Sequence, residues 1–395
     1  MSKVIDEVAI EHNIFFDTFF CLSCCGLWKP TTSKPRWFHL CYNLYRIYVS
    51  IVIGLMAIGP LTDMLTTSNN NFAEIMGNWC FVATVTDTWL NSMNVMLRRK
   101  QIMYVLKTKV LIGRWTSLRD AEENRIIEDS KNVEQKILRY WMCIVIVNGI
   151  LNILNPIIGD NPDNNLVWKS WVPCDRSVSS CFWICWAQQA VTYMIGSTAH
   201  VSAGAIALNF LERICSHFRI LQHRLTLLPD LVQNGVLSTA EDELLYLIEC
   251  IHDHQNIYST AREISRIFSA VIFAYFVIIF FILCTNIYVL SILPVFTSAF
   301  MAIGIFLCCM MLQFFLFCWW GYKLTETGNE TCYTIFSMNW LELRKETRKR
   351  LRFIMLYTSK SIPLFNNFVA ELSPEMFLKM LKTSYSAFNL LQAQS

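Results

Sequence analysis

Few residues of this chain combine a reactive type with a spacing that could do chemistry. Asp87 lies within the apolar stretch 72–97, which also holds Glu74 near one end. An ionisable group at depth in such a stretch is by default a functional residue. The plainer alternatives are that Asp87 faces an aqueous crevice or pairs with Arg46. His252-Asp253-His254 offers three metal-ligating types, but histidines two apart do not share a helix face, so no metal site is expected. Cys24-Cys25 has no partners at zinc spacing, which leaves membrane packing or lipidation. There is no Gly-rich phosphate loop, no Gly-x-Ser-x-Gly and no His-Glu-x-x-His. No catalytic residue and no cofactor are expected, and the chain is not read as an enzyme.

Composition sets the elements that hold these residues. Of 395 residues, 54% are hydrophobic and 16% charged, against about 25% charged in soluble domains. So little charge could not cover a water-exposed surface. The net charge of +3 and the lack of a basic stripe interleaved with aromatics argue against nucleic acid. A membrane helix needs roughly 20 apolar residues. No Asp, Glu, Lys or Arg occurs from 267 to 322, enough for two helices, and Pro294 is placed to break them. Further spans are expected at 37–59, closed by Pro60, and at 72–97, 140–159 and 177–210. After Ser373-Pro374 comes a weaker candidate carrying Lys379 and Lys382. It either lies on the membrane surface or crosses while lining a pore or subunit interface.

Basic residues orient these spans, since Lys and Arg favour cytoplasmic loops. With the amino terminus inside, segments 1–39, 98–139, 211–266 and 323–372 are cytoplasmic and hold 28 of the 33 Lys and Arg. The opposite loops hold Lys169 and Arg176. This topology is the reverse of a G-protein-coupled receptor. The expected fold class is therefore all-α, a polytopic membrane protein of seven transmembrane helices. The amino terminus is cytoplasmic, the carboxyl terminus extracellular, and a cytoplasmic helical anchor region lies below the membrane. Residues 1–36 form the amino-terminal part, with 14–28 lying against the membrane surface. Residues 37–322 carry six helices and the long loops 98–139 and 211–266. Residues 323–372 form an anchor helix, at about 333–358, and a loop; 373–395 form the last helix. Leu227-Leu228-Pro229 and Asn234-Gly235 are expected to split 210–266 into two helices, the second opened by Ser238-Thr239. Most of the 16 cysteines lie in apolar runs or cytoplasmic stretches. Only Cys174 and Cys181 fall near an extracellular segment, where a disulfide could form. The sequon Asn329-Glu330-Thr331 falls on the cytoplasmic side and is expected to be unmodified.

The carboxyl-terminal residues carry a family likeness. Phe377, Leu381-Lys382, Ser384-Tyr385-Ser386, Phe388 and Leu391 resemble the closing signature of insect odorant receptors. Ile362-Pro363-Leu364, Asn367-Phe368 and Leu372-Ser373 resemble the loop before that family's last helix, and Gly26-Leu27-Trp28-Lys29-Pro30 its amino-terminal patch. Length and inverted topology agree over the whole chain. The resemblance implies a plasma-membrane receptor of a sensory neuron dendrite, a subunit of a heteromeric tetramer with a common co-receptor subunit. That tetramer is a nonselective cation channel opened by a small volatile organic ligand and embedded in lipid. The long insertion that marks the co-receptor is absent, so the likeness is to a tuning subunit. It implies that the last helix lines the pore, with Leu390 at the constriction and Ser386 and Ala393 on the same face.

It also implies a ligand pocket in the outer half of the membrane, between the second, third, fourth and sixth spans. Those segments offer Cys80, Phe81 and Thr84; Asn148 and Asn152; Tyr193 and Ser197; Phe296 and Phe300. Each alone could equally serve helix packing, and the two asparagines, four apart, share a face suited to bonding a neighbouring helix. Two other readings stand beside this one. A gustatory receptor channel shares fold and topology but closes with a different motif. A transporter would show internal inverted repeats, which this sequence lacks.

Overall fold

The computed structural model describes residues 15–30, 35–66, 72–111, 118–158, 166–168, 179–358 and 372–394. Among them every regular element is helical. In chain order these are α1 (Phe16–Cys24), α2 (Arg36–Thr66), α3 (Phe72–Leu97), α4 (Arg99–Val105, continued by a π-helical turn, Leu106–Leu111), α5 (Ala121–Ile158), α6 (Ser179–Gln233), α7 (Ala240–Ile292), α8 (Ser298–Ser337), α9 (Lys345–Thr358) and α10 (Pro374–Gln394). Five of them, α2, α5, α6, α7 and α8, are long and apolar enough to cross a membrane by composition alone. The two spans that fall short are α3, which carries Asp87, and α10, which carries two lysines. On α2 the residues Leu40, Leu44, Ile47, Ile51, Leu55 and Ile58 form an exposed apolar stripe at helical spacing, as a lipid-facing surface requires.

Helix starts follow ordinary capping chemistry. Thr239 and Asp242 form a reciprocal capping box on α7. The Thr297 hydroxyl accepts from Phe300 N at 3.2 Å to start α8. The Ser373 hydroxyl accepts from Met376 N at 3.2 Å to start α10. Pro294 falls between α7 and α8, as expected. Two other prolines behave differently. Pro60 does not close the first span, because α2 runs on to Thr66, where the Thr62 hydroxyl donates to the Ile58 and Gly59 carbonyls at 3.1 and 2.8 Å. Pro229 does not break α6, which ends at Gln233 before the Asn234–Gly235 turn. Fully buried Leu225 and Leu228 offset its lost hydrogen bond.

The expected anchor helix at 333–358 is instead two helices. Around the break Leu343 is buried and Arg344 N donates to Glu243 Oε1 at 3.1 Å. Helix α1 also departs from a purely surface role: Phe19 and Leu22 are buried, and the Asn209 amide donates to the Thr18 hydroxyl at 2.9 Å.

The bundle core is built around α6, whose buried face packs against α5, α7 and α8. Below the expected membrane level α5, α6 and α7 continue as a helical stack held by buried ion pairs. There Arg224 bridges Glu123 and Asp253, and Arg213 meets Glu134 at 2.9 Å. The last helix lies against α7 and α8. Its Phe377 ring packs on Phe314 and Phe315 at 5.3 and 5.5 Å between centroids.

Candidate functional site

Two neighbouring helices bring the first polar pair together. On α5, Asn148 and Asn152 lie one turn apart, and the Asn152 amide donates to the Asn148 carbonyl at 2.8 Å. On α6, Tyr193 faces them, and Asn148 Nδ2 donates to its hydroxyl at 3.3 Å. Gly149 permits this approach, since a Cβ there would stand 3.3 Å from the Tyr193 ring and 3.2 Å from Met194 Sδ. The pair opens onto a cavity of about 290 Å³.

That cavity is lined by six helices and one loop. Ile53 and Met56 come from α2; Cys80, Phe81, Thr84, Val85 and Thr88 from α3; Val145, Asn148 and Asn152 from α5. Helix α6 adds Tyr193, Gly196, Ser197 and His200, α7 adds Asn286 and Val289, and α8 adds Ala302, Ile303, Phe306, Cys309 and Met310. Trp168, from the short described loop segment, stacks on Phe81 with ring centroids 5.2 Å apart. The Trp168 backbone is held at both ends by Gln189, at 3.3 and 3.4 Å. Among the described residues no Asp, Glu, Lys or Arg side chain lines the cavity. Such an apolar space with a few convergent polar groups suits a small neutral ligand.

Bordering the cavity lies a largely buried polar cluster. His200 Nδ1 is 3.2 Å from the Thr88 hydroxyl and 3.5 Å from Asp87 Oδ2, and its Nε2 is 2.8 Å from Gln313 Oε1. Asn91 donates to Asp87 Oδ1 at 3.0 Å. Asp87, 2% exposed, therefore neither faces a crevice nor pairs with Arg46, whose Nε points instead to Met96 Sδ at 3.2 Å. The cluster ties α3, α6 and α8 together, because each unmet polar group in a dry interior is costly.

Seven of the nine residues expected to contact ligand line this one cavity: Cys80, Phe81, Thr84, Asn148, Asn152, Tyr193 and Ser197. Phe296 and Phe300 do not. Phe296 sits in the turn before α8 and is 87% exposed, and Phe300 is in the first turn of α8. The α8 residues that reach the cavity lie deeper, from Ala302 to Met310. Sequence reasoning missed Met56, Trp168, His200 and Asn286. A tryptophan in a loop that opens on a run of Asp and Asn, and a histidine and an asparagine within apolar runs, were signals available for three of them. Met56 offered none. On α10 Ser386 is exposed and Ser384 is buried. The side chains of Leu390 and Ala393 lie outside the described set.

The sequence profile of the 7tm Odorant receptor family matches residues 71–385. The chain belongs to the 7tm odorant receptor family. Among relatives of this odorant receptor, Odorant receptor 2a of Drosophila melanogaster is 25% identical over 402 residues, covering 99% of each chain. Odorant receptor 10 of Aedes albopictus is 24% identical over 148 residues, covering 38% of this chain and 39% of its own. The fold matches that of the insect olfactory receptor OR5 from Machilis hrabei in complex with eugenol. The TM-score is 0.83 at 13% identity, over 96% of this chain and 98% of that one. In this odorant receptor the two spans weakest in composition, α3 and α10, thus take their places in a known membrane architecture.

Proposed function

We propose that this receptor is the tuning subunit of a heteromeric, ligand-gated, nonselective cation channel. A small neutral volatile binds in the cavity beside Asn148 and Tyr193, with Cys80, Phe81, Thr84, Asn152 and Ser197 around it. The observation that carries this reading is the cavity: apolar, free of ionised lining groups among the described residues, and shared by helices that also contact α10. The receptor sits in the plasma membrane with the amino terminus inside, supported by 28 of 33 Lys and Arg falling in the cytoplasmic segments. The buried ion-pair stack is the anchor through which it assembles with a co-receptor subunit. Ligand binds the open arrangement more tightly than the closed one, so occupancy shifts the population toward open. The gate is the apolar ring at Leu390 on α10, flanked by Ser386 and Ala393, closing by dewetting.

Co-expression with a co-receptor subunit, and current recording across a panel of volatiles, tests this. Evoked cation current is expected only with both subunits, and Leu390→Ser is expected to raise the current in the absence of ligand. Uptake of a volatile without any current would favour a transporter. An amino-terminal epitope accessible on intact cells would overturn the orientation.

A further inference from the structure

The cavity's hydrogen-bonding inventory is uneven. Most lining groups spend their donors on the backbone. The Thr84 and Thr88 hydroxyls donate to the Cys80 and Thr84 carbonyls at 2.8 and 2.9 Å. Ser197 donates to the Met194 carbonyl at 3.2 Å, and Asn286 to the Ile282 carbonyl at 2.8 Å. Asn148 differs. It is 4% exposed, and its Oδ1 has no hydrogen-bond partner although its Nδ2 is engaged by Tyr193. The Tyr193 oxygen, having accepted that bond, still has a proton to donate. Both residues line the cavity, and the Asn148 oxygen is itself buried, so a buried unmet acceptor and a hydroxyl with a proton to give stand side by side at its wall. The terminal torsion of asparagine is soft, so the oxygen can turn to a ligand without a change of rotamer.

Resting on the reading of this cavity as the odorant site, we propose that the preferred ligands are neutral alcohols or phenols carrying one hydroxyl. That hydroxyl donates to Asn148 Oδ1 and accepts from Tyr193. Ketones, esters and ethers only accept, so they leave the asparagine oxygen unmet in a dry site, where binding suffers. A carboxylate or an amine would enter without a countercharge. Size follows from volume: 290 Å³ holds about ten non-hydrogen atoms at the ~30 Å³ of liquid that a water occupies. The stacked Phe81 and Trp168 rings, with Phe306, favour a ring or branched carbon body.

The test is a matched series on one skeleton: 1-phenylethanol, its methyl ether, acetophenone and ethylbenzene. Binding is read as fluorescence quenching of the purified full chain in lipid nanodiscs, assigned to the cavity by its loss in Trp168→Phe. The alcohol is expected to bind roughly five- to a hundredfold more tightly than the ether or the ketone. Asn148→Leu is expected to collapse that ratio while ethylbenzene still binds, and Tyr193→Phe is expected to weaken the alcohol and the ketone together. Equal affinity for alcohol and ketone, or a ratio that survives Asn148→Leu, overturns the inference. So does a preference for the ketone, which would mean that the amide stands reversed with its nitrogen open. Because binding is read without current, a failed channel leaves this result intact. Binding of none of the four overturns the cavity reading together with the inference.

Discussion

Val289 of α7 lines the cavity and shares one buried apolar cluster with Phe388 of α10. Tyr288 completes that cluster, and nearby the Cys284 thiol donates to the Ser384 carbonyl at 3.7 Å. A ligand that displaces Val289 therefore acts on a surface against which the last helix rests. Phe388→Ala is expected to shift the half-maximal concentration for current at least about fivefold, the size of a weak allosteric coupling, and to shift volatile binding in the same direction. Parallel binding and current measurements check this, and a double replacement with Val289→Ala shows whether the two positions couple. Additive effects would remove Val289 from the link.

Arg224, fully buried, holds the anchor together. Its Nε and Nη2 donate to the two Glu123 oxygens at 2.6 and 2.9 Å, and Nη1 donates to Asp253 Oδ2 at 2.8 Å. Arg224→Met strands two carboxylates and is expected to cost about 3–5 kcal/mol, read as a lower melting temperature in detergent. Replacing Glu123 and Asp253 with leucine in the same chain should recover much of that loss.

The same pair sets an acid limit. Burial alone would raise the Glu123 carboxyl, but hydrogen bonds from Arg224 and the Arg119 amide outweigh it and hold the group below its ordinary 4.5. The folded chain thus binds this proton less readily than the unfolded one. The stabilisation is complete above about 4.5 and disappears as pH falls through the lower folded value. Melting temperature should therefore drop more steeply below pH 4.5 in the native chain than in Glu123→Gln.

Gly204 is where α6 meets Trp141. A Cβ there would stand 2.7 Å from the Trp141 ring, beside the His200 cluster, where Trp141 and His200 meet edge to face at 6.4 Å. Gly204→Leu is expected to cost about 1–3 kcal/mol through overpacking, again read by thermal unfolding, with Gly77→Ala as the control because none of the described residues lies within 4 Å of its Cβ.

Cys181 is disulfide-bonded, and fourteen other cysteines are free. Cys174 lies outside the described residues. Peptide mapping without reductant should recover a Cys174–Cys181 linked peptide, and Cys181→Ser should free one thiol at Cys174. Any other partner for Cys181 would refute the pairing.

Helix content, spans and sidedness could be read from the chain because each depends on residues near in sequence: uncharged runs, basic clusters and a proline between two apolar stretches. Asn148 and Asn152 announced a shared face by their spacing of four. What a local pattern cannot specify is how six helices rotate and tilt against one another. Only the tertiary structure decided that Met56, Trp168, His200 and Asn286 meet the expected residues around one cavity while Phe296 and Phe300 stand away from it. It likewise set Asp87 against His200 instead of Arg46, and kept α2 and α6 continuous through Pro60 and Pro229. In each case the outcome rests on contacts between elements distant in sequence or on the balance of buried packing against one lost hydrogen bond. Side-chain proximity across a bundle is fixed by packing, and packing is a property of the whole assembly of helices.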